Sequence, residues 1–161
     1  MRADDELVGR LGWRGGSSRS PVPAETAEGS WLIRHARGPR LARVWSITDA
    51  NDPTSPPVAE LEKPQAGSIK LRPRTGLVLE LKQVRAGDSA LSMRRRWELA
   101  AEGLPPLAHL DQPPKGMKRV RFVVRVEPDG VGEPDLAPIL LLACTAALVA
   151  QAEDISFLPA P

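Results

Sequence analysis

Two groups of cations hold the residues best suited to chemistry in this chain: Arg94, Arg95 and Arg96 in one, and Lys118, Arg119, Arg121 and Arg125 in the other. Cations at alternate strand positions project from one face and can neutralise phosphates there, each contributing about 1 kcal/mol near an anionic membrane. These residues form the candidate anion- or lipid-binding site. A solvated face balanced by carboxylates elsewhere would need the same residues and no ligand. Nucleic acid would also suit the charges, but neither a recognition helix nor an aromatic-interleaved strand motif accompanies them.

Catalysis and metal binding find less support. His35 and His109 are the only histidines, and neither has a Cys, His or carboxylate at ligand spacing, which argues against zinc. The chain has no G-x-S-x-G, phosphate-binding loop or dinucleotide fingerprint. No catalytic residue, metal or cofactor is therefore assigned, and Asp111 beside His109 reads as loop solubility. Asp129, Glu133 and Asp135 supply hard oxygen ligands, but their spacing is not that of a calcium loop with alternating ligands and a closing Glu. Turn and helix-cap duties explain Asp129 and Asp135 equally well.

Charge is unevenly distributed. All 22 basic residues lie at or before Arg125, against 14 acidic ones, while residues 127–161 carry six acidic residues and no base. A basic body suits an anionic partner such as a lipid headgroup, or else the two parts neutralise each other on packing. The single cysteine, Cys144, lies in an apolar run and reads as a small buried hydrophobe, so no redox compartment is revealed. No secretory signal is apparent at the start, and cytoplasm is the default expectation, with a location peripheral to the membrane if lipid is bound.

The elements that must position these residues begin with residues 1–29, where charge mixed with Gly, Ser and Pro reads as a flexible leader. Short alternating runs follow at Trp31 to Ala36 and Leu41 to Thr48, a plausible hairpin, then at Val58 to Lys63, Ser68 to Arg72 and Gly76 to Val84. Leu91 to Leu99 suits either a strand or a helix, and the flanking pattern favours strand. Leu104 to Lys115, with four prolines, reads as a loop. Lys118 to Glu127 is the clearest strand, with Val120, Phe122, Val124 and Val126 on one face and Arg119, Arg121 and Arg125 on the other.

The chain then turns into residues 135–152, which contain fifteen successive residues without a charge between Leu136 and Ala150. Asp135 is placed to cap this helix, and Pro138 falls in its first turn, where the missing N–H breaks no helical bond. Large aliphatic groups occupy every side, so no polar face exists to meet water. At 1.5 Å per residue the run is about 22 Å long, short of the ~20 residues that a bilayer core requires. About seven strands and one such helix are best reconciled by curling the sheet around the helix. At roughly 25 cal/mol per Å², enclosing the aliphatic side chains contributes on the order of 10 kcal/mol before entropy is subtracted.

The fold expected is therefore mainly β with one helix: a closed or nearly closed antiparallel β-barrel over residues 30–158 around a C-terminal hydrophobic helix. The run ILLLACTAALVAQAED (Ile139 to Asp154) and the stretch RVWSITDANDPTSPPVAEL (Arg43 to Leu61) together resemble the tubby C-terminal-like barrel of tubby proteins, LURP-one-related proteins and phospholipid scramblases. That barrel usually has twelve strands. The resemblance implies phosphoinositide or phospholipid binding rather than catalysis, and in scramblases the acidic residues before the helix are linked to calcium. Three readings follow: an anionic-membrane binding module, a ligand-free structural or regulatory module with a protein partner, and a protein inserted into a membrane by its tail.

Overall fold

Period-2 alternation builds the wall, and a helix without a polar face fills it. The computed structural model describes residues 2–3, 6–7, 9–12, 21–37, 43–63, 69–85, 95–112, 122–130 and 132–156. Twelve strands form one sheet: β1 (Arg2–Ala3), β2 (Glu6–Leu7), β3 (Gly9–Leu11), β4 (Val22–Thr26), β5 (Gly29–Arg37), β6 (Arg43–Asp49), β7 (Ala59–Lys63), β8 (Ile69–Pro73), β9 (Leu79–Arg85), β10 (Arg95–Ala101), β11 (Pro106–Gln112) and β12 (Val123–Val126). Their spatial order is β2-β1-β12-β11-β10-β9-β8-β7-β6-β5-β4-β3. Sequence neighbours from β3 to β12 therefore pair as a meander, each ladder antiparallel, and β1 joins β12 in parallel. A 3-10 turn, Pro128–Gly130, leads toward the helix α1 (Leu136–Ser156).

Residues alternate in burial as the sequence pattern requires. Trp31 and Ile33, Trp45 and Ile47, Ile69 and Leu71, Leu79 and Leu81, and Trp97 and Leu99 are buried, with the less buried Leu32, Ser46, Lys70, Glu80 and Glu98 between them. These side chains join α1 in one hydrophobic core. Every residue of α1 from Ile139 to Val149 is buried. Eleven residues at 100° per step pass the full circumference about three times, so the rest of the chain covers the helix on all sides. Thr145, the one polar side chain in that run, donates its hydroxyl to the Leu141 carbonyl at 2.9 Å and so carries no unmet donor into the core.

Two expectations are corrected. Leu104 to Lys115 is not a loop throughout, because β11 runs through it with Ala108, Leu110 and Gln112 buried. Its prolines bracket the strand: Pro106 stands at the first position, where a missing N–H interrupts least, and the next prolines follow Gln112. The second correction concerns the leader, in which β1 to β4 all fall before or within residues 1–29. With β11 these five strands raise the expected seven to twelve. Short polar strands such as VPAET carry little hydrophobic alternation, so their pairing comes from the neighbouring ladder rather than from their own pattern.

The N-terminal strand approaches the core closely. A Cβ at Gly9 would meet the Glu25 carbonyl oxygen at 2.8 Å and the Leu141 side chain at 3.3 Å, whereas one at Gly132 meets nothing within 4 Å. Gly9→Ala should therefore lower stability by about 1–3 kcal/mol, several degrees in melting temperature, while Gly132→Ala changes it little. Equal melting temperatures for the two variants would show that β3 does not lie against α1.

Candidate functional site

The expected basic residues divide between two faces. Arg94, Lys118, Arg119 and Arg121 lie outside the described residues. Arg95 shares strand parity with the inward-facing Trp97 and Leu99, so it does not stand beside Arg96, which projects outward. Arg96 is engaged by Asp111 across the β10/β11 ladder, with Nε to Oδ1 at 2.7 Å and Nη2 to Oδ2 at 3.3 Å. That bidentate pair, through its hydrogen bond and then its charge, raises the guanidinium pKa above the usual value. Arg125 is exposed and lies in register with His109. The imidazole sits between two carboxylates, Nδ1 at 3.6 Å from Glu98 and Nε2 at 3.5 Å from Glu127, both too long for good hydrogen bonds.

Among the described residues the outer face is a lattice of opposite charges. In register, Glu60 opposes Arg72, Glu62 opposes Lys70, Lys70 opposes Glu80, Lys82 opposes Glu98 and Arg96 opposes Asp111. Lys82 also reaches Glu80 at 2.7 Å, and that hydrogen bond raises its pKa. Such cross-strand pairs each contribute a few tenths of a kcal/mol to 1 kcal/mol and cancel in the far field.

Register places a different set of cations at one end of the sheet. Arg37 opposes Arg43, Arg43 opposes Lys63, and Arg95 opposes Arg85. These are the termini of β5, β6, β7, β9 and β10. By strand parity these positions fall on the face that carries the buried Trp31, Trp45, Leu61, Leu81 and Trp97, not on the outer face that carries the opposite-charge pairs. The signal was present in the sequence, since Arg37 precedes Gly38-Pro39, Lys63 precedes Pro64 and Arg85 precedes Ala86-Gly87. Finding it required knowing that these boundaries share one end.

The opposite end is acidic. Asp49, Asp52, Glu102, Asp129, Glu133 and Asp135 lie in or beside its turns, together with Arg74. A hollow of about 410 Å³ lies here, lined by Trp31, Asp49, Asp52, Val58, Arg74 and Asp135 among others. Its carboxylates already have work to do. Asp49 accepts from the Asn51 N–H at 2.8 Å, and Asp52 accepts from the Thr54 hydroxyl at 2.8 Å, which are turn-forming contacts. Asp135 does not cap α1 with its side chain as expected. Its φ is +59°, its carbonyl accepts the Ile139 N–H, and its carboxylate takes two hydrogen bonds from Arg74, from Nε at 2.8 Å and Nη2 at 3.0 Å. Glu133 accepts from the Thr75 hydroxyl at 3.5 Å. Among the described residues no group of three or more His, Cys, Asp or Glu is arranged to hold a metal ion.

With the geometry of both ends established, comparison adds no relative: no family model, curated protein or solved structure matches this chain. Among the described residues no helix is long and apolar enough to cross a membrane. Of the histidines, His35 packs its ring on Trp45 with centroids 4.9 Å apart, and His109 belongs to the outer wall.

Cys144 is buried in α1, and loss of solvation pushes its thiol pKa up from 9.0 to about 12. At pH 8 its thiolate is then about a thousandfold scarcer than in an ordinary cysteine, and a thiol reagent should label the unfolded chain while sparing the folded one. As pH rises above 9 the unfolded chain releases this proton and the folded chain keeps it, so stability falls with pH in that range. Denaturant titrations from pH 8 to 10 should show that fall, reduced in Cys144→Ala. Rapid labelling of the native protein would contradict the enclosure of α1.

Proposed function

We propose that the protein is a non-enzymatic binding module whose basic end meets an anionic, phosphate-bearing membrane surface. The observation that carries this reading is the placement of Arg37, Arg43, Lys63, Arg85 and Arg95 at strand termini that share one end of the sheet, with Asp49 and Asp135 at the other. Trp31, Trp45, Trp97 and Phe122 are all buried, so the described aromatic residues offer no platform for stacking bases, and a lipid headgroup suits this end better than a single-stranded nucleic acid.

The reading includes a closed wall. Following the ladders from β3 to β2, nine antiparallel steps to β12, one parallel step to β1 and one antiparallel step to β2 leave β2 and β3 running in the same direction. Only Val8 separates them, with β1 on the outer edge of one and β4 on that of the other. β2 and β3 then follow one another in one direction at the two edges of the sheet, and the reading joins those edges there, an arrangement similar to the tubby C-terminal-like barrel. A second reading, a ligand-free protein-interaction module, is favoured by the neutralised outer wall, which needs no partner.

Co-sedimentation with vesicles of phosphatidylcholine, with and without phosphatidylserine, separates the two. Binding is expected only with the anionic lipid, and it should weaken with salt. Arg43→Glu with Arg85→Glu reverses two end charges and should reduce binding on the order of a thousandfold at about 1 kcal/mol for each of the four units of charge changed, whereas Lys82→Glu with Arg125→Glu on the wall should change it far less. Binding that ignores phosphatidylserine, or that survives the first pair of substitutions, would overturn the proposal. No binding at all would support the ligand-free module.

A further inference from the structure

We infer that β3 is a detachable strap over α1, which opens while the rest of the wall stays folded and uncovers the face of the helix that carries Cys144. Register shows how lightly the strap is held. β3 stands last in the sheet order, beside β4, and joins it through Gly9 with Thr26, Arg10 with Glu25 and Leu11 with Ala24. Just beyond, the Gly12 N–H donates to the Pro23 carbonyl at 2.8 Å. Ahead of it, β1 joins β12 by one register pair, Arg2 with Val123. Interior strands are held on both sides; β6 shares seven register pairs with β5 and five with β7. Burial repeats the difference. Arg10 and Gly12 are exposed and Leu11 is partly buried, so lifting β3 takes one large apolar side chain out of the core. Lifting β6 would take out Trp45 and Ile47 and break two ladders. Segments with few buried apolar groups and few ladder bonds open first.

What the strap covers follows from Gly9. A Cβ there would stand 3.3 Å from Leu141 Cδ2, so the strap backbone passes directly over Leu141. Residues three, four and seven positions further along a helix share a face, and here these are Cys144, Thr145 and Leu148, all buried. With the strap lifted, α1 keeps its own backbone hydrogen bonds, so the helix persists and its amides stay protected while side chains on this face meet water. Cys144 can therefore be reached by two routes, strap opening and global unfolding, and the first disrupts far less of the structure. Closed, the strap seals the core; open, it presents an apolar strip on a body that is still folded.

Two disulfide locks test the strap. Arg10→Cys with Glu25→Cys ties β3 to β4 at a register pair on the outer face, and Arg34→Cys with Ser46→Cys ties β5 to β6 in the same way. The loops they close, residues 10–25 and 34–46, are of similar length, so both oppose global unfolding by similar factors, on the order of a hundredfold. Each oxidised variant leaves Cys144 as its free thiol, and slow labelling of that thiol is followed at pH 8 without denaturant by mass spectrometry. Strap opening predicts that the first lock slows labelling on the order of a hundredfold and that the second changes it by no more than about twofold. Gly9→Ala, which crowds the strap against Glu25 and Leu141, should speed labelling on the order of tenfold, and the first lock should abolish that gain. Equal slowing by the two locks would assign labelling to global unfolding and overturn the strap. So would a first lock that leaves the rate unchanged.

Discussion

An α-helix without a polar face is the constraint on which the structure depends. Ile139 to Val149 can leave water only if something covers every side of the helix, and a flat sheet covers one. Enclosure also fixes the lining. Leu61, Leu71, Leu79, Leu81, Leu99 and Leu110 are fully buried from the sheet, and Leu140, Leu141 and Leu142 are fully buried from the helix. Large aliphatics meet large aliphatics here, so removing any one would leave a hole that its neighbours fill only in part. The N-terminal strand shares in this enclosure, with Gly9 omitting a side chain where the backbone passes Leu141.

Enclosure leaves the outer surface to charge, and charge is arranged differently along two directions. Across the strands neighbours alternate in sign, as in Glu62, Lys70 and Glu80 or Lys82 and Glu98, so local pairs satisfy one another. Along the strands the ends differ, with basic termini at one end and Asp49, Asp52 and Asp135 at the other. The outer face is stabilised by its pairs and projects little field. The small overall excess of two positive charges conceals this separation.

Much of the core was legible in the sequence. Fifteen uncharged residues announced α1, and Trp45 with Ile47, Leu79 with Leu81 and Val124 between exposed neighbours announced strands, since burial alternates wherever one face meets the helix. The region from Leu91 to Leu99 resolves as strand because β9 and β11 flank its described part, a tertiary preference that overrides the helical alternative. Strand β11 was concealed by the prolines that bracket it. Strands β1 to β4 were concealed because short polar segments owe their structure to partners far along the chain. The pairing of Arg96 with Asp111 was invisible for the same reason, as register sets which side chains meet, and register is not written in either segment alone. Asp135 was correctly placed at the start of α1, but its side chain serves Arg74 from a distant turn.

Native-state hydrogen exchange of the α1 amides tests the central claim most directly. A helix enclosed on all sides can expose Ile139 to Val149 only when the wall opens. Exchange at these positions should therefore be as slow as in the central strands β6 to β10 and should track global unfolding as denaturant is added. Exchange through small local openings, with no dependence on denaturant and well ahead of those strands, would mean that one side of the helix faces water and that the protein does not enclose it.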